Sequence, residues 1–455
     1  MATVFNVGNQ ISVARFLLLE PSIRRRIAGG AMWSIVGAGL ASALAMLSNV
    51  ACARLLGSIR FGELGIVLVT TNLFAMLFTS GLSMTATRYV AEYRDSNPKR
   101  AGIIVGLSSA TSFVVGGAVA ILICLLAPWL SREVFHAPGL SRPLVLGAAV
   151  IFFAAINGAQ IGTLSGLEAF HRIALGNFVR GAGILLFVTA GAAFAGLDGA
   201  LLGYVCAGAA TAIYYQLVVR RECATRKVAI SYRFGRDDAG ILWRFTLPAL
   251  VTTSSFTPAA WWSNVLLARR SGYAEAGVFN AIFNWQMFIL FFSNAISSIG
   301  LPLLSNARAE GDPAKYKRYL AINFALVSAP AIAVAVPVVI CSRLIVRIYG
   351  PAFEHGAGAL ALIGLAAVLS AVNIPVGHAI WSLNATSSAM LLALLNGGTL
   401  LFAAYALCGR GAIGLAGAYV IMGVVQTAAN IPFMTWLLRR KVNWARWPDQ
   451  HAALA

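Results

Sequence analysis

Between residues 28 and 437 the chain sets down one apolar run after another, each about twenty residues long and nearly free of charge, and that pattern fixes the solvent in which it folds. A helix of that length crosses a hydrocarbon core of about 30 Å. The runs read as twelve spans, at 28–51, 63–86, 102–127, 144–166, 173–195, 199–219, 242–267, 277–300, 320–341, 357–382, 387–407 and 412–437. With no water to satisfy backbone N–H and C=O groups inside a bilayer, helices are the spanning form, and no ten-residue alternation suggests a barrel. Only 11% of residues are charged, and the mean hydropathy is +0.80, so the expected class is an all-α integral membrane protein.

Charge asymmetry gives the expected orientation. If the N-terminus faces the cytoplasm, 25 of the 34 Lys and Arg residues fall in cytoplasmic segments or in the cytoplasmic half of a span, as Arg180 and Arg244 do, and nine in outer segments, as the positive-inside tendency requires. The basic run Arg24, Arg25, Arg26 precedes the first span with no small-residue cleavage site, so residues 1–26 read as a cytoplasmic tail and not as a cleaved signal. The C-terminal 442–455 reads as a second cytoplasmic tail. A net charge of +19 then points to anionic lipids at the cytoplasmic surface. Nucleic acid is not expected as a partner, because the basic residues are scattered among short loops and form no compact domain.

Several chemistries are absent. There is no GxxxxGK[ST], HExxH or GxSxG. The six cysteines form neither CxxC nor Cys/His patterns and read as small apolar filler. No metal site or cofactor is expected, and the chain does not read as an enzyme.

The sequence also repeats itself at one fixed offset. "GLDGALLGYV" at 196–205 faces "GAIGLAGAYV" at 411–420; "ARLLGSIRFG" at 53–62 faces "ARRSGYAEAG" at 268–277; "DSNPKR" at 95–100 faces "EGDPAK" at 310–315. All three pairs are 215 residues apart. Two homologous halves are expected, 27–235 and 236–441, each a bundle of six helices. Because six is even, both halves enter the membrane in the same sense and are related by an axis along its normal. The predicted architecture is therefore two parallel-related six-helix bundles around a central cavity, a transporter working by alternating access. Gly196 and Gly411 suit tight outer turns, and Gly199 with Gly203 suits close helix packing.

Those same segments, together with "GLPLLSNARAEGD" from Gly300 to Asp312 and "RIYGPAFEHGAGAL" from Arg347 to Leu360, resemble the polysaccharide exporters and O-antigen flippases of the multidrug/oligosaccharidyl-lipid/polysaccharide exporter superfamily. The resemblance runs from about Ala31 to Leu438. It implies a flippase that carries an undecaprenyl-pyrophosphate-linked oligosaccharide, the repeat unit of O-antigen, capsule or exopolysaccharide, across the bacterial inner membrane, with both termini cytoplasmic. It implies a monomer that passes its product to a polysaccharide polymerase and chain-length regulator. The peptidoglycan-precursor flippases are similar in having an arginine where Arg60 stands, but Phe61 replaces the acid that usually follows, and two further spans are missing. The alternative is a cation-coupled small-molecule or drug exporter of the same superfamily. A membrane glycosyltransferase would need longer outer loops.

A pyrophosphate head calls for cations, and arginine offers phosphate a planar fork of donors. Arg54 and Arg60 flank the outer end of the first span, and Arg269 stands at the repeat position of Arg54. They read either as a cationic ring at the outer mouth or as side chains snorkelling to headgroups. Arg180 lies about 10 Å into the fifth span by helical rise, deep enough to be a cavity cation, with snorkelling as the other reading. Arg88 reads as a receiver of the head from the inner leaflet or as a topological anchor. Amides inside spans, Asn72, Asn177 and Asn284 among them, offer both donors and acceptors to sugars or hold helices together. Trp261, Trp262, Trp285 and Trp381 read as sugar-stacking or interface residues. His378, alone well inside a span, reads as a proton relay for coupling or as a hydrogen-bonded structural histidine. Proton or sodium coupling has no clear carrier, since every carboxylate stands near a span end or outside the spans.

Overall fold

The computed structural model describes residues 21–232, 256–383 and 386–441. Among them the ordered elements are helices, and nine helical stretches are long and apolar enough to cross a membrane. Two of these are double. Pro21–Tyr93 breaks at Gly57 (φ 70°, ψ 173°) into α1 (21–56) and α2 (58–93). The stretch from Phe170 to Thr225 breaks at Ala195 and Gly196 (φ 58°, ψ −133°) into α5 (170–194) and α6 (197–225). The others are α3 (Pro98–Trp129), α4 (Ser141–Gly166), α8 (Tyr273–Ala309), α9 (Pro313–Ile340), α10 (Ala357–Ser382), α11 (Thr386–Leu407) and α12 (Ala412–Lys441), and α7 (Thr257–Ser271) is a shorter helix outside the nine. Apart from the eight-residue helix Ser342–Tyr349, twelve helices result among the described residues, in keeping with the hydropathy. The first begins at Pro21, so the basic triplet Arg24–Arg26 belongs to the helix and not to a tail. Residues 242–255 of the seventh span, the expected boundary near 235 and the tails 1–20 and 442–455 lie outside the described residues.

The repeat is visible in the backbone itself. Gly57 and Gly272, 215 apart, share a conformation (φ 70° and 88°, ψ 173° and 167°) that is essentially confined to glycine. Gly196 and Gly411 share another (φ 58° and 74°). Asn97 and Asp312 both cap helices that carry proline in the first turn, through bonds to the Arg100 amide and to the Ala314 and Lys315 amides. Small residues then set the helix contacts. A methyl group placed on Gly203 would meet Val188 at 2.5 Å, and one on Gly183 would meet Ala207 at 3.3 Å, so α5 and α6 run side by side in close contact.

The distribution of buried apolar residues positions the site. One large cluster joins both halves on the face carrying Gly57, Gly196, Gly272 and Gly411: Phe61, Leu64, Leu144 and Leu201 pack in the same core as Phe279, Tyr349, Phe353 and Tyr419. Toward the opposite, basic face the core divides. Val90, Ile104, Leu164 and Tyr215 form one cluster in the first half, and Leu304, Tyr316, Val376 and Leu437 form another in the second. Among the described residues the halves are thus fused toward the Gly57 face and separately packed toward the basic face, and the seam between those two clusters is the cleft.

Candidate functional site

The floor of the cleft is a crossing of α2 and α8. A methyl on Gly62 would stand 2.8 Å from the Gly277 nitrogen, and one on Gly277 would stand 3.0 Å from the Gly62 nitrogen. The flanking partners Tyr273 and Ser58 are again 215 apart, so the contact is the same on both sides of the pseudo-axis. Only glycine lets backbones approach this closely.

From the crossing, one stripe on each helix runs down into the cleft. On α2 it comprises Ser58, Gly62, Gly65, Val69, Asn72 and Met76, residues three or four apart and therefore on one face. Gly65 abuts Asn280 and Met76 receives a bond from Thr257, both across the divide. Asn72, between them on the same stripe, is exposed. On α8 the stripe is Tyr273, Gly277, Asn280, Asn284, Phe288 and Phe291, with Phe291 touching Gly39 of α1. Asn284 and Phe288 are exposed between two closed contacts, and Asn284 spends only one amide hydrogen, on the Asn280 carbonyl at 2.7 Å. These two amides therefore look into the gap between the halves.

Arg180 is placed by two neighbours of α5. Ala174 and Gly181 pack on Gly37 and Ala41 of α1, while Gly176 and Gly183 pack on Tyr215 and Ala207 of α6. At 100° per residue, Asn177, Arg180 and Ile184 fall between those contacts, on the side opposite the exposed Leu175 and Leu186. The apolar stripe suits lipid. The polar one faces away from it, with Arg180 exposed and within electrostatic reach of the Tyr204 and Tyr215 hydroxyls, and Tyr215 donates to Asn177 Oδ1 at 3.4 Å.

The other arginines stand elsewhere. Arg54, Arg60 and Arg269 lie on the Gly57 face, beyond the α2–α8 crossing, and are not brought together with Arg180. The Arg54 Nε donates to the Ile348 carbonyl at 2.5 Å, at the end of the short helix Ser342–Tyr349 in the other half. The Arg269 Nη2 lies 3.4 Å from His136 Nε2, also in the other half. Helix-end carbonyls lack intrahelical partners, so a long cationic donor from the opposite half meets a local need and ties the halves together. Arg60 sits against the Gly196 turn. Its repeat counterpart, Glu275, accepts from the Ala412 amide at 2.6 Å and pairs with His355 at 2.9 Å. Arg88 is exposed at the basic face, stacked on Tyr89.

His378 is joined to Asn323 (Nδ1 to Nδ2, 3.3 Å) where α8, α9 and α10 meet, with Gly300 leaving room for both side chains. No carboxylate accompanies it in that contact. We expect His378→Gln, which keeps a hydrogen-bonding group there, to retain at least half of wild-type transport with an unchanged pH profile; a shifted pH optimum would make it a relay. Of the tryptophans, Trp261 and Trp285 are engaged through their N–H groups with Thr70 and Tyr349, at 3.0 and 3.1 Å. Trp262 and Trp381 are exposed. Sequence reasoning missed Gly62 and Gly277 as the crossing point, although their match at the common offset was the available signal.

A profile described as polysaccharide biosynthesis protein matches residues 27–308, more than half of the chain. The chain belongs to that family. The lipid III flippase of Escherichia coli (strain K12) is 25% identical over 289 residues, covering 61% of this chain and 69% of that protein, and the lipid III flippase of Shigella flexneri matches equally. Among solved structures, an inward-facing multidrug-resistance MATE transporter of the MOP superfamily superposes with a TM-score of 0.74 at 15% identity, covering 91% of this chain and 99% of that one. The lipid II flippase MurJ in an inward closed conformation gives 0.71 at 14% identity, covering 90% and 87%. The likeness to solved structures shows the fold, a multi-pass helical membrane fold.

Proposed function

We propose that the protein flips an undecaprenyl-pyrophosphate-linked oligosaccharide, a repeat unit of O-antigen, capsule or exopolysaccharide, from the cytoplasmic to the outer leaflet of a bacterial inner membrane. The observation that carries this reading is the exposure of Asn72 and Asn284 on the stripes that run from the α2–α8 crossing; in this reading Arg180, exposed on the polar side of α5, is the deep cation of the cleft. An anionic head would meet Arg180, the sugars would meet the amides, and the polyprenyl chain would stay in lipid. The similarity to lipid III flippases supports a lipid-linked glycan as cargo. The charge asymmetry supports a basic face toward the cytoplasm, which makes the observed shape inward-facing.

The MATE-like fold supports a second reading, a cation-coupled exporter of small molecules. Such a pump needs a carboxylate or equivalent inside the membrane to bind its ion, whereas every acid of this sequence stands near a span end or outside the spans. Deletion in the parent cell separates the two. The flippase reading expects lipid-linked repeat units to accumulate on the cytoplasmic leaflet, with surface glycan lost. Normal surface glycan with raised retention of a cationic dye would favour the exporter.

A further inference from the structure

A second pocket lies on the outside of the first half, away from the cleft. On α4, Gly147, Gly162 and Gly166 pack on α2. Ile156 and Gln160 point roughly opposite those contacts by helical geometry. There, between α3 and α6, two adjoining cavities of about 340 and 440 Å³ share Ile156, Gln160 and Gln216. One is rimmed by Ser109, Ser112, Phe113 and Tyr232. The other runs down α6 past Ile213 and Leu217 to Arg220 at the basic face. Phe113, Val114, Ile213 and Leu217 are exposed around the opening, which in a spanning helix bundle means toward lipid.

The floor of this pocket is polar where hydrocarbon alone would require it to be apolar. Gln160 is only 5% exposed. Its Nε2 donates to the Ala212 carbonyl and to Gln216 Oε1, both at 3.1 Å, while its own Oε1 has no partner among the described residues. A buried amide oxygen left without a donor costs about 1–3 kcal/mol, so the site is built for something that brings one. One turn nearer the basic face, Arg220 supplies a positive charge.

We propose that this pocket binds one anionic phospholipid of the leaflet at the basic face. Its phosphate pairs with Arg220, its interfacial segment and a bound hydroxyl or water satisfy Gln160 and Gln216, and an acyl chain lies along Phe153, Ile213 and Leu217. A zwitterionic lipid sets its own ammonium beside the phosphate and so pairs less strongly with Arg220, and a soluble anion lacks the apolar part for the groove. The site shares no lining residue with the α2–α8 crossing.

The test uses the full-length protein in vesicles of phosphatidylcholine containing 20% phosphatidylglycerol, on the order of a bacterial surface charge. A photocrosslinking residue is placed at Phe113 and, separately, at Phe402, an exposed position in the second half. Phosphatidylglycerol should be captured at 113 at least fivefold above its mole fraction, but in proportion at 402. Arg220→Gln should abolish the enrichment, while Arg221→Gln, next in sequence and absent from the pocket lining, should leave it. Equal capture at both positions, enrichment that survives Arg220→Gln, or crosslinks to residues 233–255 in place of lipid would overturn the proposal.

Discussion

Arg180→Ala is expected to lower transport of the lipid-linked glycan by about 10- to 100-fold, and Arg180→Lys to leave it about tenfold higher than the alanine variant. A charge-assisted hydrogen bond contributes about 1.5–3 kcal/mol, and each 1.4 kcal/mol is a factor of ten in an equilibrium. Lysine keeps the charge but gives up the bidentate fork. Stability should move in the opposite direction. An arginine inside a span costs free energy, so the alanine variant should melt in detergent at the wild-type temperature or above. Loss of transport in a protein that is no less stable is the signature of a ligand-binding cation. Complementation of surface glycan, with a melting curve for each variant, is the measurement. Alanine transporting as well as lysine would leave Arg180 as a snorkelling residue.

Gly62→Ala and Gly277→Ala should each open the Gly57 face. The added methyl would stand inside contact distance of the opposing backbone, at 2.8 and 3.0 Å from amide nitrogens and nearer still to carbonyls, and a backbone cannot rotate away as a side chain can. Overpacking of this kind costs about 1–3 kcal/mol. The cost falls only on the state in which α2 and α8 cross, so the equilibrium moves toward separation by about 5- to 150-fold. In a background without native cysteines, Asn72→Cys should then become reactive toward an impermeant maleimide from the Gly57 face, where it is protected in the parent. Transport should fall at least tenfold, because the return step stalls. Gly57→Ala is the contrast: nothing lies within 4 Å of its added methyl, so it carries backbone strain of about 1–3 kcal/mol and no clash. It should lower the melting temperature without exposing residue 72. Unchanged labelling in both crossing variants would mean that α2 and α8 do not separate during transport.

Alternating access also gives Arg54 and Arg269 a coherent place. Each reaches from the end of one half to a turn of the other, at repeat-related positions. The sequence identifies them as a pair, through the common offset, but leaves them between a cationic mouth and snorkelling to headgroups. Nothing local could have shown that their partners, Ile348 and His136, lie 294 and 133 residues away. Asn72 and Asn284 had the reverse history. The sequence offers sixteen amides inside spans with no means of ranking them, and only the α2–α8 crossing shows that these two share a stripe with Gly62 and Gly277.

What the sequence determined by itself is everything set by local composition and repetition: the membrane as solvent, the number of crossings, the expected orientation, and the duplication whose register reappears in the paired conformations of Gly57 with Gly272 and of Gly196 with Gly411. What the tertiary structure decided is direction, meaning which side of each helix looks at lipid, at its own half or at the other half. The reason is physical. In a soluble helix the contrast between polar and apolar faces announces the buried side, but a spanning helix is apolar nearly all round, since lipid and protein interior are alike to a leucine. Facing is then fixed by which small residues let neighbours approach, as at Gly62 against Gly277, and that contact exists only once both helices are in place.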